Sequence, residues 1–231
     1  MNQENKYLGK GVYSLPFAAK LLSLTPAQIK RYVSGYSYGY QGTDRKMNAI
    51  FNRDLTRIDG RIFLSFLDLI ELKFIAAFRQ HGVSTRAIRI AAENVHSIYK
   101  IQHPFCTRKF MTDGRTILTD VAVESNDPEL LDLVKEQYAV AAIFKPYLHG
   151  EFEFEDDELI NRWWPNGKDN LVLMDPKRCF GQPIIDSISV PSETLFAAFR
   201  AEDSIEAIIE WFGCRKEEVE AAIKFELKFA A

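Results

Sequence analysis

Basic side chains collect on the second of two short helical patterns near the start of the chain, and just after it. Ile29 and Val33 lie four residues apart and would face a core, so Lys30 and Arg31 would face outward. Four further basic residues follow in a strand-like segment: Arg45, Lys46, Arg53 and Arg57. Cations placed beside phosphates release counterions and so bind nucleic-acid backbones. This pattern predicts a surface that binds a polyanion.

Two helices joined by a tight turn would position these cations. Ser14 can cap the first helix, in which apolar residues recur at helical spacing: Phe17, Ala18, Leu21 and Leu22. In the second helix, Thr25 is the N-cap, Pro26 takes the first helical position and Gln28 completes a capping box. The pattern predicts a helix-turn-helix with a basic second helix. Gln28 is then either a capping residue or a DNA contact.

Residues 36–64 are strand-like and predict a wing. Asp59-Gly60 separates two short β-prone runs between Leu55 and Leu64, and this dipeptide favours a type I′ hairpin turn. A hairpin directly after a helix-turn-helix occupies the position of a wing. The wing would carry the four later basic residues and extend the basic track.

The middle of the chain is predicted to be mainly helical. Two helices, Ser65 to His81 and Ser84 to Tyr99, are separated by Gly82 as a C-terminal cap. Asp113-Gly114 predicts a second hairpin over Phe110 to Leu118. Residues 126–148 then predict a further helix.

The remaining third combines a connector with a small helical bundle. Residues 150–170 are acidic and then aromatic, and predict a connector that packs through Trp163 and Trp164. Leu171 to Met174 is a short strand candidate. Three closing helices, predicted near residues 191–201, 204–212 and 215–228, suggest a bundle similar to a helix-turn-helix. The fold class is therefore mainly α with small β-hairpins.

The net charge of −3 conceals two opposite halves. Residues 1–115 carry 18 Lys and Arg against 8 Asp and Glu, a net +10, whereas residues 116–231 carry 11 against 24, a net −13. Such asymmetry indicates one end that binds a polyanion and one with another task; the alternative is scatter over two solvated surfaces. Because the sign changes between separately patterned regions, we divide the chain into residues 1–115, 116–170 and 171–231.

Composition argues against a membrane protein and against a disulfide scaffold. No apolar run approaches the roughly 20 residues that a membrane span needs. The polar start lacks the apolar core of a signal peptide, so a cytoplasmic protein is expected. The three cysteines, Cys106, Cys179 and Cys214, are odd in number and far apart, which indicates neither a disulfide framework nor a zinc site.

No residue pattern predicts catalysis. The histidines are scattered and are interpreted as surface or capping residues: His81, His96, His103 and His149. A nucleophile at Cys106 lacks any supporting arrangement beyond His103 nearby. We therefore expect no enzyme, no catalytic residue, no metal site and no cofactor.

The run from Ala18 to Tyr32 resembles the DNA-binding start of MerR-type regulators. Their second helix typically reads T-I-R-x-Y before a wing, and here Lys30 stands at the usual Arg position and Tyr32 at the usual Tyr. The resemblance implies that both side chains contact phosphates or base edges, alongside Gln28 and Arg31. The alternative is that Tyr32 belongs to the core, Gln28 serves the capping box and the arginines are only solvated.

The C-terminal stretch resembles the small domain-of-unknown-function family 433. That family's pattern is a strand, D-P…F-G-Q-P, a short strand and three helices. The matching residues are Asp175, Pro176, Phe180, Gly181, Pro183, Val219, Ala222 and Glu226. The family's G-T-R segment reads Asp186-Ser187-Ile188-Ser189 here, so no role of that Arg carries over. Cys214 stands where the last helix usually has a Ser or Thr cap, and Cys caps poorly.

A MerR-like start joined through a long middle to this module is similar to the layout of VapB-type antitoxins of the longer class. The middle carries the resemblance in FLDLIELKFIAAFRQHGVSTRAIR, HPFCTRKFMTDGR and RWWP, so most of the chain is covered. The resemblance implies an antitoxin that binds operator DNA, represses its own operon and neutralises a PIN-domain ribonuclease. The alternative is a stand-alone MerR-like regulator whose C-terminal half senses a ligand or a partner. In either case we expect a homodimer, because helix-turn-helix proteins usually read paired half-sites.

The acidic half suits binding to a ribonuclease, whose RNA substrate requires a basic surface. Acidic residues concentrate in one run: Glu151, Glu153, Glu155, Asp156 and Asp157. These carboxylates either compete for that basic surface or form a solvated linker. Their spacing at every second residue also permits a strand with one charged face.

Overall fold

The computed structural model describes residues 7–40, 42–126, 128–135, 150–156 and 159–230. The chain divides into two compact units, to which the described residues belong. The helical unit comprises Tyr13–Lys145 and Asp156–Leu159, and the sheet unit comprises Met1–Val12, Pro146–Glu155 and Ile160–Ala231. Within the described ranges, no helix combines the length and the apolar character that crossing a membrane requires. The functional boundaries at residues 115 and 170 stay a prediction, because compactness does not test them.

The predicted pair of short helices is confirmed at the start of the helical unit. Strand β1, Tyr13–Ser14, leads into α1, Leu15–Leu22, and α2 follows as Pro26–Ser34. The Ser14 hydroxyl accepts the Phe17 N–H at 3.3 Å. Between Thr25 and Gln28 the predicted capping box is complete, since each side chain accepts the other's backbone N–H, at 2.8 and 3.2 Å.

A two-stranded hairpin follows α2 directly, and we call it the wing. Strands β2, Tyr36–Tyr40, and β3, Thr43–Met47, pair antiparallel, with Tyr36 opposite Met47 and Tyr38 opposite Arg45. Gly35 joins α2 to the wing with φ +69°, a conformation that side-chain-bearing residues rarely adopt. A Cβ at this position would lie 2.2 Å from the Met47 carbonyl oxygen, so the junction requires glycine.

The Asp59-Gly60 turn forms as predicted, but outside the wing. Both residues have positive φ, +48° and +72°, and Ile58 and Arg61 exchange backbone hydrogen bonds of 3.1 and 2.9 Å. Strand β4, Phe63–Leu64, pairs with β1 rather than with a hairpin partner. The strand-like segment of residues 36–64 is therefore divided between the wing and a separate turn.

Helices α3, Phe66–Gln80, and α4, Thr85–Tyr99, confirm the two longer predicted helices, and Gly82 ends α3 with φ +83°. The hairpin predicted at Asp113-Gly114 is wrong, because these residues lie inside α5, Arg108–Ser125. The hydroxyl of Thr107 caps this helix by accepting the Phe110 N–H at 3.0 Å. Its buried side chains recur at helical spacing and outweigh the turn preference of one dipeptide: Phe110, Ile117, Leu118, Val121 and Ala122.

Helix α6, Pro128–Lys135, confirms the start of the next predicted helix, whereas residues 136–148 lie outside the described residues.

The sheet unit contains more β-structure than the sequence predicts. Its five strands lie in chain order: β5, Phe152–Glu155; β6, Leu159–Trp163; β7, Val172–Met174; β8, Pro183–Ile185; and β9, Val190–Pro191. The predicted connector therefore supplies two strands, and Glu153 and Glu155 alternate along the first of them, β5, as their spacing permits. Trp163 and Trp164 are buried, as predicted, at 1% and 5% exposure.

The three predicted closing helices are confirmed as α7, Ser192–Glu202, α8, Ile205–Phe212, and α9, Lys216–Ala230.

Replacing Gly35 should damage the wing junction far more than replacing a glycine inside the wing. We expect Gly35→Ala to lower the free energy of unfolding by roughly 1–3 kcal/mol, because the new methyl group overlaps backbone atoms at a positive φ. Gly39→Ala is the matched control, since a Cβ there meets no atom within 4 Å. Urea denaturation of both variants measures the difference, and equal losses would contradict this account of the junction.

Candidate nucleic-acid interface

The outward side of α2 presents the two cations that the sequence predicts there. Ile29 is fully buried and Val33 is 4% exposed, so the helix has a fixed inner side. Lys30 and Arg31 are exposed on the opposite side. The physical requirement for contact with a phosphate backbone, accessible cations on a rigid element, is met at these two positions.

Two other predicted contacts of α2 have structural roles. Tyr32 is only 5% exposed, and its carbonyl oxygen accepts the N–H of Ile50 at 2.7 Å, which ties α2 to the segment after the wing. The side chain of Gln28 is engaged in the capping box with Thr25. Both observations favour the alternative that these residues position the surface, and their role in DNA contact stays a prediction.

The wing adds an aromatic and basic surface beside α2. Arg45 and Lys46 on β3 are exposed, as predicted. The Arg31 guanidinium lies over the ring of Tyr36, 5.6 Å from its centroid, and the rings of Tyr36 and Tyr38 are 5.9 Å apart. These two tyrosines are not among the residues predicted from the sequence, although their alternation along one strand was a usable signal.

The placement of Arg53 and Arg57 in the wing is wrong, because both follow it. The Arg53 Nη1 donates to the carbonyl oxygens of Leu55 at 3.0 Å and Phe63 at 3.5 Å. The exposed Arg57 donates through Nη1 to the Gly60 carbonyl at 3.0 Å, across the Asp59-Gly60 turn. These guanidinium groups hold the loop between the wing and α3.

A buried polar cluster lies at the N-terminal end of α3. Asp68 accepts the Ser65 N–H at 2.9 Å and the Asp54 N–H at 3.3 Å, while Asp54 accepts the Ser65 hydroxyl at 2.7 Å. The Nε2 atom of His103 lies 2.9 Å from an Asp54 oxygen and 4.0 Å from an Asp68 oxygen. His103 is 4% exposed and, although it stands at the N-cap position of the Pro104–Cys106 turn, its side chain makes no cap hydrogen bond, so its interpretation as a surface or capping residue is wrong.

Glu71 and Cys106 extend this cluster into the core. Glu71 accepts the Phe105 N–H at 2.9 Å, and the Cys106 thiol lies 3.7 Å from the same carboxylate oxygen. Burial raises the pKa of Glu71 to about 7, although His103 and the Phe105 N–H act against it. Burial also raises the pKa of the Cys106 thiol, which therefore does not behave as an activated nucleophile.

The pKa values of His103 and Asp68 in this cluster are also shifted by burial and by neighbouring groups. Burial lowers the pKa of His103, but its hydrogen bond with Asp54 and the nearby carboxylates raise it more. Burial raises the pKa of Asp68. These raised pKa values favour the protonated forms of both groups.

In the sheet unit, part of the predicted acidic surface is already paired. Glu153 forms ion pairs with Arg162 at 3.3 Å and Lys168 at 2.6 Å, and Glu155 pairs with Lys177. Asp157 lies outside the described residues. These contacts brace the β5–β6 region, which reduces the charge that the acidic run offers to a partner.

Glu218 lies in the first turn of α9 and binds Arg215, the residue that precedes the helix. Its carboxylate accepts the Arg215 N–H at 2.8 Å, the Arg215 guanidinium at 2.7 Å and the Ser187 hydroxyl at 2.6 Å. Burial raises the pKa of Glu218, but the hydrogen bonds from Arg215 and Ser187 lower it more, to about 2. Ser187 belongs to the segment that departs from the G-T-R pattern, so this departure has a structural use.

Comparison with known proteins confirms the resemblance of the C-terminal module. Residues 172–225 match the family described as Protein of unknown function (DUF433). The chain is 27% identical, over 92% of its length and 92% of the relative's length, to a protein of Mycobacterium tuberculosis (strain ATCC 25618 / H37Rv) named "Putative antitoxin VapB45". The crystal structure of Rv2018 from Mycobacterium tuberculosis shares the fold, with a TM-score of 0.71, 23% identity and coverage of 91% of this chain and 96% of that chain.

The cations of α2 should contribute much to DNA affinity and only slightly to stability, through the contact of Arg31 with Tyr36. We expect the double substitution Lys30→Ala with Arg31→Ala to weaken binding to a duplex from upstream of the protein's own gene by more than tenfold. The slope of log K against log salt concentration should fall by roughly 0.9 for each phosphate that the variant no longer neutralises. Fluorescence anisotropy at several salt concentrations measures both quantities.

The matched control removes two exposed cations from the sheet unit, in Lys216→Ala with Lys224→Ala, and should leave DNA affinity nearly unchanged. A large drop in melting temperature in the α2 variant would instead show that its side chains are structural.

The Glu218 carboxylate should make the sheet unit sensitive to acid. Its folded-state pKa of about 2 lies below its ordinary value of 4.5, so the stability it contributes is complete above pH 4.5 and is lost as the pH falls towards 2. We expect Glu218→Gln to be less stable than the wild type at pH 7, with a difference that narrows over this range. Urea denaturation as a function of pH measures it, with the exposed Glu217→Gln as control. A difference that is independent of pH would overturn this account.

Proposed function

We propose that this protein is the antitoxin of a type II toxin–antitoxin system, which binds operator DNA and neutralises a PIN-domain ribonuclease. The observation that carries the proposal is similarity across 92% of the chain to a protein whose name describes it as an antitoxin. Because the similarity spans both compact units, it supports a shared organisation rather than one shared module. We propose a non-enzymatic, cytoplasmic role.

The helical unit supplies the DNA-binding part of the proposal. The α1–α2 pair and the wing act as a MerR-like winged helix-turn-helix, with Lys30 and Arg31 on α2 and Arg45 and Lys46 on β3 directed at the phosphate backbone. Exposure of all four side chains supports this assignment. A homodimer would place two copies of this surface on paired half-sites and repress the operon.

The sheet unit supplies the toxin-binding part. Of the net charge of −13 on residues 116–231, −6 falls on residues 146–155 and 160–231 of the sheet unit, and this negative charge complements the basic surface on which a ribonuclease holds RNA. Around the turn from α7 to α8 the exposed acidic residues are Glu202, Asp203, Glu206 and Glu210. Trp211 on α8 is 59% exposed, and tryptophan is enriched among the residues that dominate interface energetics. This turn is a better-placed contact than Glu153 and Glu155, which are paired internally.

An affinity purification from nuclease-treated lysate of the source cells tests the proposal. We expect one small, roughly stoichiometric PIN-type nuclease by mass spectrometry, and we expect its ribonuclease activity to be inhibited by the purified wild-type protein. Glu206→Lys with Glu210→Lys should lose the nuclease and keep DNA binding, because the charges it reverses lie in the sheet unit.

The α2 variant, Lys30→Ala with Arg31→Ala, is the complementary control and should retain the nuclease while losing DNA. Recovery of the bait alone would overturn the antitoxin proposal and favour a stand-alone regulator with the same DNA-binding surface.

A further inference from the structure

The short turn between α4 and α5 brings a histidine and a cysteine onto the inner side of α3. His103 and Cys106 are three residues apart, at the start and the end of the 3-10 turn Pro104–Cys106. Glu71 faces them from α3. A ring nitrogen of His103, a carboxylate oxygen of Glu71 and the Cys106 sulfur all lie within 4.8 Å of one another, and all three residues are buried. Three donor types favoured by transition metals therefore converge in the core.

Two polar atoms of this cluster lack hydrogen-bond partners among the described residues. They are the Glu71 Oε2 and the His103 Nδ1, and both are shielded from solvent. Glu71 is fully buried and His103 is 4% exposed. A buried polar atom without a partner costs free energy, so a ligand that satisfies both atoms would stabilise the fold.

Three carboxyl groups surround the imidazole of His103 in this cluster. Asp54, Asp68 and Glu71 all lie around the single imidazole of His103. Asp54 holds this ring through its hydrogen bond to Nε2, in the way that carboxylates orient the histidines of metal sites. A divalent cation would take the place of protons in this cluster and pair with the ionised carboxylates.

We propose that Glu71, His103 and Cys106 bind zinc or a similar divalent transition-metal ion, which links the Pro104–Cys106 turn to α3. Zinc prefers thiolate, imidazole and carboxylate donors, and its bond lengths imply an oxygen–sulfur separation of about 3.5 Å in a tetrahedral site. The observed separation between the Glu71 Oε1 and the Cys106 sulfur is 3.7 Å. Binding displaces the thiol proton of Cys106 to solvent, and the Glu71 Oε2 supplies a further oxygen donor.

Cobalt(II) is a spectroscopic probe that tests this site directly. The full chain, produced without a histidine tag, is refolded with one equivalent of cobalt(II) and desalted. We expect about one bound cobalt per chain and a near-ultraviolet charge-transfer band from the thiolate. Cys106→Ser should abolish the band, whereas Cys179→Ser should retain it, because Cys179 lies in the sheet unit on the separate Cys179–Gly181 turn.

Thermal unfolding with zinc provides a second measurement. The wild type should gain melting temperature when zinc is supplied, and Glu71→Gln should gain less. If Cys106→Ser does not fold, as judged by circular dichroism, the wild-type spectrum alone decides. Absence of retained cobalt, or retention without a thiolate band, would overturn the proposal and leave the cluster as a network of protonated side chains. These measurements involve neither DNA binding nor toxin binding, so they test the metal site independently of the proposed function.

Discussion

The helical unit depends on the buried carboxylate of Asp68 at the start of α3. This side chain accepts N–H groups from its own helix cap, at Ser65, and from Asp54 in the loop that follows the wing. Asp54 in turn reaches His103 on the turn before α5. Through Asp54, the hydrogen bonds of this helix cap thus connect segments almost 50 residues apart in sequence. A helix cap usually involves only neighbouring residues, whereas this one also takes part in tertiary hydrogen bonds.

The exposed side chains of the two units differ in charge: the helical unit presents cations on α2 and the wing, and the sheet unit presents acidic residues at the α7–α8 turn. In the helical unit, Lys30 and Arg31 stand on α2, whose inner side is buried, whereas Arg45 and Lys46 stand on the exposed strand β3. In the sheet unit, several acids are consumed by internal ion pairs, and those of the α7–α8 turn remain exposed. The sum of charges over the sequence therefore indicates the kind of partner, while the pairing decides which residues can meet it.

Local signals in the sequence predicted most of the elements. The capping box at Thr25, the Asp59-Gly60 turn and the terminating Gly82 were predicted correctly because each depends on neighbours within a few residues. The same dipeptide at Asp113-Gly114 failed, because burial of one helical stripe across α5 outweighs a local turn preference. Of the sheet, only the strand at Leu171 to Met174 was predicted outright and is confirmed as β7, because strands of two to five residues give little periodicity. The cluster around His103 was missed because its members are contributed by three separate segments, although the His-x-x-Cys spacing was visible.

The stacking of Arg31 on Tyr36 couples a helix to the hairpin that follows it. A guanidinium resting on an aromatic ring has already lost much of its rotational freedom, so holding an anion costs it less entropy than it would cost a freely moving lysine. The orientation of this charge is consequently set by the wing as well as by α2. Any displacement of the wing would change the direction in which the Arg31 guanidinium points. The position of the hairpin would therefore affect the proposed affinity for an anion even where the side chains of the hairpin make no contact with it.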